Sequence, residues 1–216
     1  MTTTAKSTKT IVIIGNIASG KSTATDIIAK QFATDRIDAD DLFQTSNPFR
    51  DVYLENMSRW AFTNELWLTV ERVKLIKEHL NTSKSAVTII DSGLLMSWVY
   101  TYGHYLNGVI TPDEWQLYEQ IYTQIAGPVL SKIQVIRLQY DMPTLMHRLK
   151  KRGRAYELEF YTEEYLSQIE KGIEALERRI VKEGVPLLTI TEAVSSNFEH
   201  NDSDRKSFLD QVQLFI

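Results

Sequence analysis

The 216-residue chain contains no cysteine, has little net charge and lacks any long apolar run. Without cysteine, neither a disulfide framework nor a thiolate metal site can form. The formal net charge of −4, from 24 basic and 28 acidic residues, disfavours a protein that binds nucleic acid. No apolar run approaches the roughly 20 residues that a membrane-spanning helix needs, and residues 1–9 lack the apolar core of a secretory signal. We therefore expect a cytoplasmic protein with no membrane partner, a disordered tail at residues 1–9 and one domain at residues 10–216.

Short apolar segments alternate with helical patterns, which is typical of βαβ units around a parallel sheet. The strand candidates, rich in β-branched residues, are residues 10–14, 86–91, 132–138 and 186–190, with a less regular fifth at residues 36–38. Helices are predicted at residues 22–32, 60–80, 112–125, 143–151 and 162–181. The second of these helices has apolar residues near helical spacing at Phe62, Leu66, Val70 and Leu75. Thr111 and Glu114 have the spacing of a capping box before the third.

A glycine-rich loop follows the first predicted strand. Residues 15–22 read Gly-Asn-Ile-Ala-Ser-Gly-Lys-Ser, the complete G-x-x-x-x-G-K-[ST] pattern of a phosphate-binding loop. The glycines let the backbone curl around an anion, and the next helix adds its positive amino-terminal end. The lysine can reach the β- and γ-phosphates of ATP, and the serine can bind Mg²⁺. The predicted ATP site consists of Gly15, Asn16, Ile17, Ala18, Ser19, Gly20, Lys21, Ser22 and Thr23.

An acidic residue, Asp91, ends the strand predicted at residues 86–91. A carboxylate at the carboxyl edge of a neighbouring parallel strand is where an acid linked to Mg²⁺ belongs in such a fold. We therefore predict that Asp91 and Ser22 are the metal ligands. The alternative is that Asp91 caps a helix or stabilises a turn.

A basic cluster places five cations within the seven positions from Arg148 to Arg154. On a helix, Arg148 and Arg152 share a face, and Gly153 would end that helix. Forked guanidinium groups suit the oxygens of a transferring phosphoryl group. We predict a basic lid that closes over ATP, in which Arg148, Arg152 and Arg154 are catalytic together with Lys21. The alternatives are a solvated basic face and a nucleic-acid patch.

These segments together resemble the deoxynucleoside kinase family, especially its bacterial deoxyadenosine and deoxyguanosine kinases. The resemblance runs from about Lys9 to the carboxyl terminus. The matching positions are residues 15–23, 47–56, 59–62, 72, 148–157, 164–166 and 197–212. The resemblance implies an α/β P-loop NTPase fold with a five-stranded parallel sheet flanked by helices, and a homodimer. It also implies transfer of the ATP γ-phosphate to the 5′-hydroxyl of a (deoxy)nucleoside, with a purine favoured.

The resemblance further implies roles for four residues on the acceptor side. An acid after the second strand is the general base in the family, and spacing favours Asp40 over Asp38 and Asp41. All three could instead be ordinary loop aspartates. Glu157 matches a lid glutamate that contacts the sugar 3′-hydroxyl, while Arg72 and Glu65 fall at substrate-binding positions.

The departures from the family pattern are also on the acceptor side. Ser92 follows Asp91 where the family has an arginine, and Ser97 replaces an aspartate. Leu54 replaces a tyrosine that meets the 3′-hydroxyl, although Tyr53 is adjacent. Two alternative functions follow from these changes. The chain could be a kinase of the same fold acting on another small molecule or nucleotide, or a catalytically weak nucleotide-binding relative.

Glu65 replaces the glutamine that reads the edge of the base in the family. An ionised carboxylate offers hydrogen-bond acceptors only. It would suit two neighbouring donors, such as guanine N1–H and N2–H. The alternative is that Glu65 forms an ion pair with Arg72, seven residues further along the same helix.

Overall fold

The centre of the molecule is a parallel sheet of five strands in the order β2-β3-β1-β4-β5. The structure, a computed structural model, describes residues 9–39, 41–130, 132–193 and 197–216. The strands are β1 (Lys9–Gly15), β2 (Asp35–Asp38), β3 (Val87–Asp91), β4 (Ile133–Gln139) and β5 (Leu187–Thr191). All four strand pairs are parallel. The predicted α/β fold is confirmed. Lys9, placed in the tail by the sequence, instead begins β1, and the rest of that tail lies outside the described residues.

Ten helices surround the sheet within the described residues. They are α1 (Lys21–Phe32), α2 (Leu42–Thr45), α3 (Arg50–Glu55), α4 (Met57–Thr82), α5 (Gly93–Leu106), α6 (Pro112–Leu130), α7 (Met142–Arg152), α8 (Ala155–Phe160), α9 (Glu163–Lys182) and α10 (Asp202–Phe215). The five predicted helices correspond to α1, α4, α6, α7 and α9. None of the helices in the described part of the chain is both long enough and apolar enough to span a membrane.

Side-chain caps set where several of these helices begin. Asn56 accepts a hydrogen bond from Arg59 N through its side chain, which starts α4 three residues before the predicted boundary. The predicted capping box at α6 is present, because Thr111 Oγ1 accepts from Glu114 N at 3.2 Å and Glu114 Oε2 accepts from Thr111 N at 2.8 Å. Gly153 follows α7 with a φ of 68° and ends it as predicted.

Helix α5 is the largest element that the sequence pattern did not predict. Leu94, Leu95, Met96, Trp98 and Val99 are all buried, so consecutive residues face the interior. A helix that is apolar on every side has no 3.6-residue alternation to detect. It packs between α4 and α9, and it begins directly after Asp91 and Ser92.

Helix α4 directs polar side chains inwards. Its buried residues include Asn64, Glu65, Thr69 and Arg72. The apolar residues noted at helical spacing, including Phe62, Leu66 and Val70, are only partly buried. The polar inner face of α4 lies against α5 and α6. Buried polar side chains on this face therefore need hydrogen-bond partners.

The sheet brings the predicted functional loops together at one edge. Ile13 of β1 is in register with Asp91 of β3, and Gly15 is in register with Leu138 of β4. The loops that follow all three strands therefore leave from the carboxyl edge of the sheet, which is the usual ligand-binding edge of an open parallel sheet.

Candidate active site

The phosphate-binding loop follows β1 and leads into α1, the context that the motif requires. A Cβ atom at Gly15 would lie 2.6 Å from Ser19 Oγ and 2.8 Å from the Leu138 carbonyl oxygen, so the loop admits only glycine there. Gly20 has a φ of 90°, a conformation that favours glycine. The loop backbone therefore depends on both motif glycines.

Lys21 is held inside the loop. Its residue is 9% exposed, and its Nζ donates to Asn16 O at 3.1 Å. The Asn16 side chain ties the same loop to α9, because its Nδ2 donates to Leu166 O and to Glu170 Oε2, both at 2.9 Å. Ser22, in contrast, is exposed on the first turn of α1. The loop is thus fixed on the side of α9 and open at the start of α1.

Arg137 of β4 extends the connection between the loop and α9. Its side chain is 4% exposed, and its Nη2 donates to Glu170 Oε1 at 2.6 Å. Its Nη1 pairs with Glu177 on the same helix. Glu170 therefore bonds both the phosphate-binding loop and the central sheet.

Asp91 is fully buried at the end of β3. Ser92 Oγ lies 3.2 Å from Asp91 Oδ1 and donates to it. Ser92 has a φ of 58° and a ψ of −59°, a conformation that non-glycine residues seldom adopt. Its backbone N donates to Ile13 O at 3.1 Å. The residue in the place of the family arginine is thus small, buried and held in a strained turn.

The lid arginines occupy two different positions. Arg148 contacts the phosphate-binding loop, with Nη1 at 3.4 Å from Ser19 O, and its guanidinium stacks 3.9 Å from the centre of the Tyr140 ring. Arg152 and Arg154 instead bind Glu157, at 2.7 and 3.2 Å. Glu157 is only 2% exposed. The structure therefore brings one predicted lid arginine to the loop and gathers the other two around the predicted sugar-binding acid.

Asp40, the candidate general base, lies outside the described residues. Its two alternatives are described. Asp38 is exposed and pairs with Arg36 at 2.9 Å, and Asp41 precedes α2 without capping it through its side chain. Ala39 is buried, and its carbonyl oxygen accepts from Arg72 Nε at 3.0 Å, so Arg72 fixes the backbone beside the predicted base.

Arg72 also contacts the residue that replaces the family aspartate. Its Nη1 donates to Ser97 Oγ at 2.6 Å, and both residues are buried. Glu65 is 4% exposed, and its Oε1 accepts from Asn64 Nδ2 at 2.9 Å. Burial raises the pKa of Glu65 to about 7, although the charge of Arg72 and the Asn64 hydrogen bond oppose this. The charge of Arg72 thus lowers the pKa of Glu65, while its guanidinium donates to Ala39 O and Ser97 Oγ.

Three residues around Glu65, namely Tyr53, His104 and Asn64, were missed or only partly identified from the sequence. Tyr53 is buried, and its hydroxyl lies 3.1 Å from His104 Nε2. His104 Nε2 lies 3.8 Å from Glu65 Oε1, and burial lowers the histidine pKa to about 4. Asn64, next to Glu65, orients its carboxylate. A lone histidine in α5 gave no sequence signal, whereas polar residues at helical spacing in α4 could have identified Asn64.

Comparison with known proteins identifies the family of this chain. The family model for deoxynucleoside kinases matches residues 11–216. The deoxyguanosine kinase of Bacillus subtilis is 25% identical over 213 residues, which cover 95% of this chain and 97% of that protein. The deoxyadenosine kinase of Lactobacillus acidophilus is 24% identical over 156 residues, 68% of each chain. The structure of deoxyadenosine kinase from M. mycoides with bound dCTP has a TM-score of 0.75 at 21% identity and covers 95% of this chain and 99% of that one. Because the family model matches residues 11–216, the chain belongs to the deoxynucleoside kinase family, whose members are phosphotransferases.

Proposed function

We propose that the chain transfers the γ-phosphate of ATP to the 5′-hydroxyl of a deoxynucleoside, with a purine favoured. The observation that carries this proposal is the contact between Arg148 and the Ser19 carbonyl, which brings a lid guanidinium to the phosphate-binding loop. Ser19 Oγ is buried and has no hydrogen-bond partner among the described residues. That hydroxyl and the loop N–H groups are suited to an incoming phosphate.

The proposed mechanism assigns phosphate binding and charge stabilisation to separate groups. Lys21 binds the β- and γ-phosphates, and Arg148 stabilises the charge that develops on the transferring phosphoryl group. Arg152 and Arg154 join Arg148 at the phosphates when the lid closes. Asp40 accepts the proton of the attacking 5′-hydroxyl, and Glu157 binds the 3′-hydroxyl. The departing ADP keeps its two phosphates on the loop.

The residues present also fit a Mg²⁺ ion. Asp91 and Ser22 would hold it with oxygen atoms, the donors that Mg²⁺ prefers. Mg²⁺ in such sites takes most of its ligands from nucleotide phosphates and water. This is consistent with the absence, in the described part of the chain, of any cluster of three or more His, Cys, Asp or Glu residues suited to a metal. When bound, the ion neutralises charge on the phosphates.

A substrate panel tests the proposed reaction. ADP release would be measured with Mg-ATP and each of the deoxynucleosides, ribonucleosides, nucleoside monophosphates and small amino compounds. We expect turnover with a purine deoxynucleoside, and mass spectrometry should identify the product as the 5′-monophosphate. Turnover of a different compound class would assign the chain to another acceptor. ATP binding without turnover of any compound would reduce the function to nucleotide binding.

We further propose that the chain forms a homodimer through the outer face of α4. Phe62, Leu66, Trp67 and Val70 are partly exposed on this face and line a shallow groove with Phe49. An apolar surface of this kind marks an interface more often than a free surface. Helix α6 packs beside α4 and would complete the interface.

The dimer is tested by sedimentation at increasing protein concentration. The wild-type chain should sediment as a dimer, and Val70→Glu should shift it to the monomer because a charge would be buried at the interface. Lys77→Glu, an exposed charge change on the same helix, is the control and should leave the dimer intact. A monomeric wild-type chain at all concentrations would contradict the proposal.

A further inference from the structure

A buried polar cluster around Glu65 contains one hydrogen-bonding atom that no described residue bonds. Glu65 is 4% exposed, and its Oε1 accepts a hydrogen bond from Asn64. Its other carboxyl oxygen, Oε2, is buried and has no hydrogen-bond partner among the described residues. Because an unpartnered buried polar atom is costly, this oxygen is suited to a ligand that supplies the missing bond.

A chain of amide hydrogen bonds fixes which carboxyl oxygen can carry a proton. Phe49 N donates to Asn47 Oδ1 at 2.9 Å, and Asn47 Nδ2 donates to Asn64 Oδ1 at 2.7 Å. The amide nitrogen of Asn64 therefore faces Glu65, where it donates to Oε1 at 2.9 Å. Oε1 is an acceptor in either protonation state, so a neutral Glu65 carries its proton on Oε2.

The surroundings of Glu65 supply little charge to hold it ionised. Burial raises the pKa of the neighbouring tyrosines and lowers that of His104 to about 4, so these groups are uncharged near neutral pH. Arg72 is cationic, but its guanidinium donates hydrogen bonds to Ala39 O and Ser97 Oγ. The titratable groups that act on Glu65 or respond to it are Arg72 from α4, Tyr53 from α3, His104 from α5, Tyr118 from α6 and Tyr165 from α9.

Resting on the proposed nucleoside kinase function, we propose that Glu65 binds the hydrogen-bonding edge of the purine and that its protonation state decides whether adenine is accepted. As a neutral acid it offers a donor on Oε2 beside an acceptor on Oε1, which matches adenine N1 and N6–H and also guanine O6 and N1–H. As a carboxylate it offers two acceptors, which match guanine N1–H and N2–H but leave adenine N1 facing an acceptor. The proton on Oε2 is thus required for adenine and not for guanine.

The consequence is a base preference that shifts towards guanine as pH rises. Burial raises the pKa of Glu65 to about 7, and below this pH the acid form is populated and pairs with both purines. Above it, the carboxylate is populated and deoxyguanosine is preferred. A wrong pairing leaves buried polar groups unpartnered, which enzymes built on hydrogen-bond recognition reject strongly.

The test measures kcat/KM for deoxyadenosine and deoxyguanosine across the neutral pH range. Between about pH 5.5 and pH 8.5, the ratio of the two values should change by at least about tenfold in favour of deoxyguanosine as pH rises. Glu65→Gln keeps a donor beside an acceptor and does not titrate, so it should accept deoxyadenosine at every pH and its ratio should stay flat. Glu78→Gln, the same change at an exposed position of α4, should behave as wild type. A flat wild-type ratio, or a slope retained in Glu65→Gln, would overturn the proposal.

Calorimetric binding of the two nucleosides separates this proposal from the proposed reaction. In two buffers of different ionisation enthalpy, deoxyadenosine binding above neutral pH should take up protons, and deoxyguanosine binding at the same pH should not. Glu65→Gln should bind deoxyadenosine without proton uptake. Proton-linked binding without turnover would support base selection and contradict the reaction. Turnover without proton linkage would contradict base selection alone, and failure of both nucleosides to bind would overturn both.

Discussion

Replacing Lys21 with alanine should lower kcat/KM for nucleoside phosphorylation by about a hundred- to a thousandfold, the usual cost of removing one group that stabilises transition-state charge. Lys21 is buried within the phosphate-binding loop, and its ammonium group is already oriented by the Asn16 carbonyl. This preorganisation means that little rearrangement is needed when the phosphates arrive. The loss should appear mainly in kcat, because the transferring phosphoryl group is the proposed partner of this charge.

The matched control for this experiment is Lys30→Ala. Lys30 lies on the same helix, α1, but is exposed, so its removal should change neither kcat nor KM. Circular dichroism would confirm that both variants are folded. A Lys21→Ala enzyme with activity within about threefold of wild type would show that this lysine is not part of the catalytic machinery.

Replacing Arg137 with methionine should destabilise the folded protein, which is the second large effect that we expect. We expect the free energy of unfolding to fall by about 2–4 kcal/mol, because the change leaves Glu170 and Glu177 without their common cation beside the sheet. Both glutamates are about a quarter exposed, at 23% and 27%, so water offsets part of the cost. Urea-induced unfolding would measure the change.

Arg178→Met provides the comparison for this stability measurement. Arg178 is exposed on α9, so its replacement should change the free energy of unfolding by less than about 0.5 kcal/mol. A loss of less than about 1 kcal/mol for Arg137→Met would mean that the buried pair behaves like a surface ion pair. In that case Asn16, rather than the sheet, would be the important partner of Glu170.

The sequence predicted those features that depend on residues close together in the chain. Gly15 is needed because any side chain there would meet Leu138 O, and a motif records such a requirement directly. Thr111 with Glu114, and Gly153 after α7, are likewise local signals that the structure confirms. The family resemblance supported the fifth strand, at residues 36–38, whose own pattern was short.

Features that depend on tertiary packing were not predictable in this way. The buried helix α5 has no amphipathic period, so neither it nor His104 gave a signal. The role of Glu65 was left open between reading a base edge and pairing with Arg72, and the structure directs hydrogen bonds of Arg72 to Ala39 and Ser97. The unusual backbone conformation of Ser92 depends on the turn between β3 and α5. No residue type in that segment predicts such a turn.

The polar inner face of α4 links the stability of the protein to its substrate. A long helix usually stabilises a domain by burying apolar side chains, but α4 also buries Asn64, Glu65, Thr69 and Arg72. Any ligand that binds the folded chain alone, for example by donating to Glu65 Oε2, raises the free energy of unfolding in proportion to the logarithm of its concentration. The chain without nucleoside is then the form most open to unfolding and proteolysis. The amount of enzyme in a cell would consequently follow the supply of the compound it consumes.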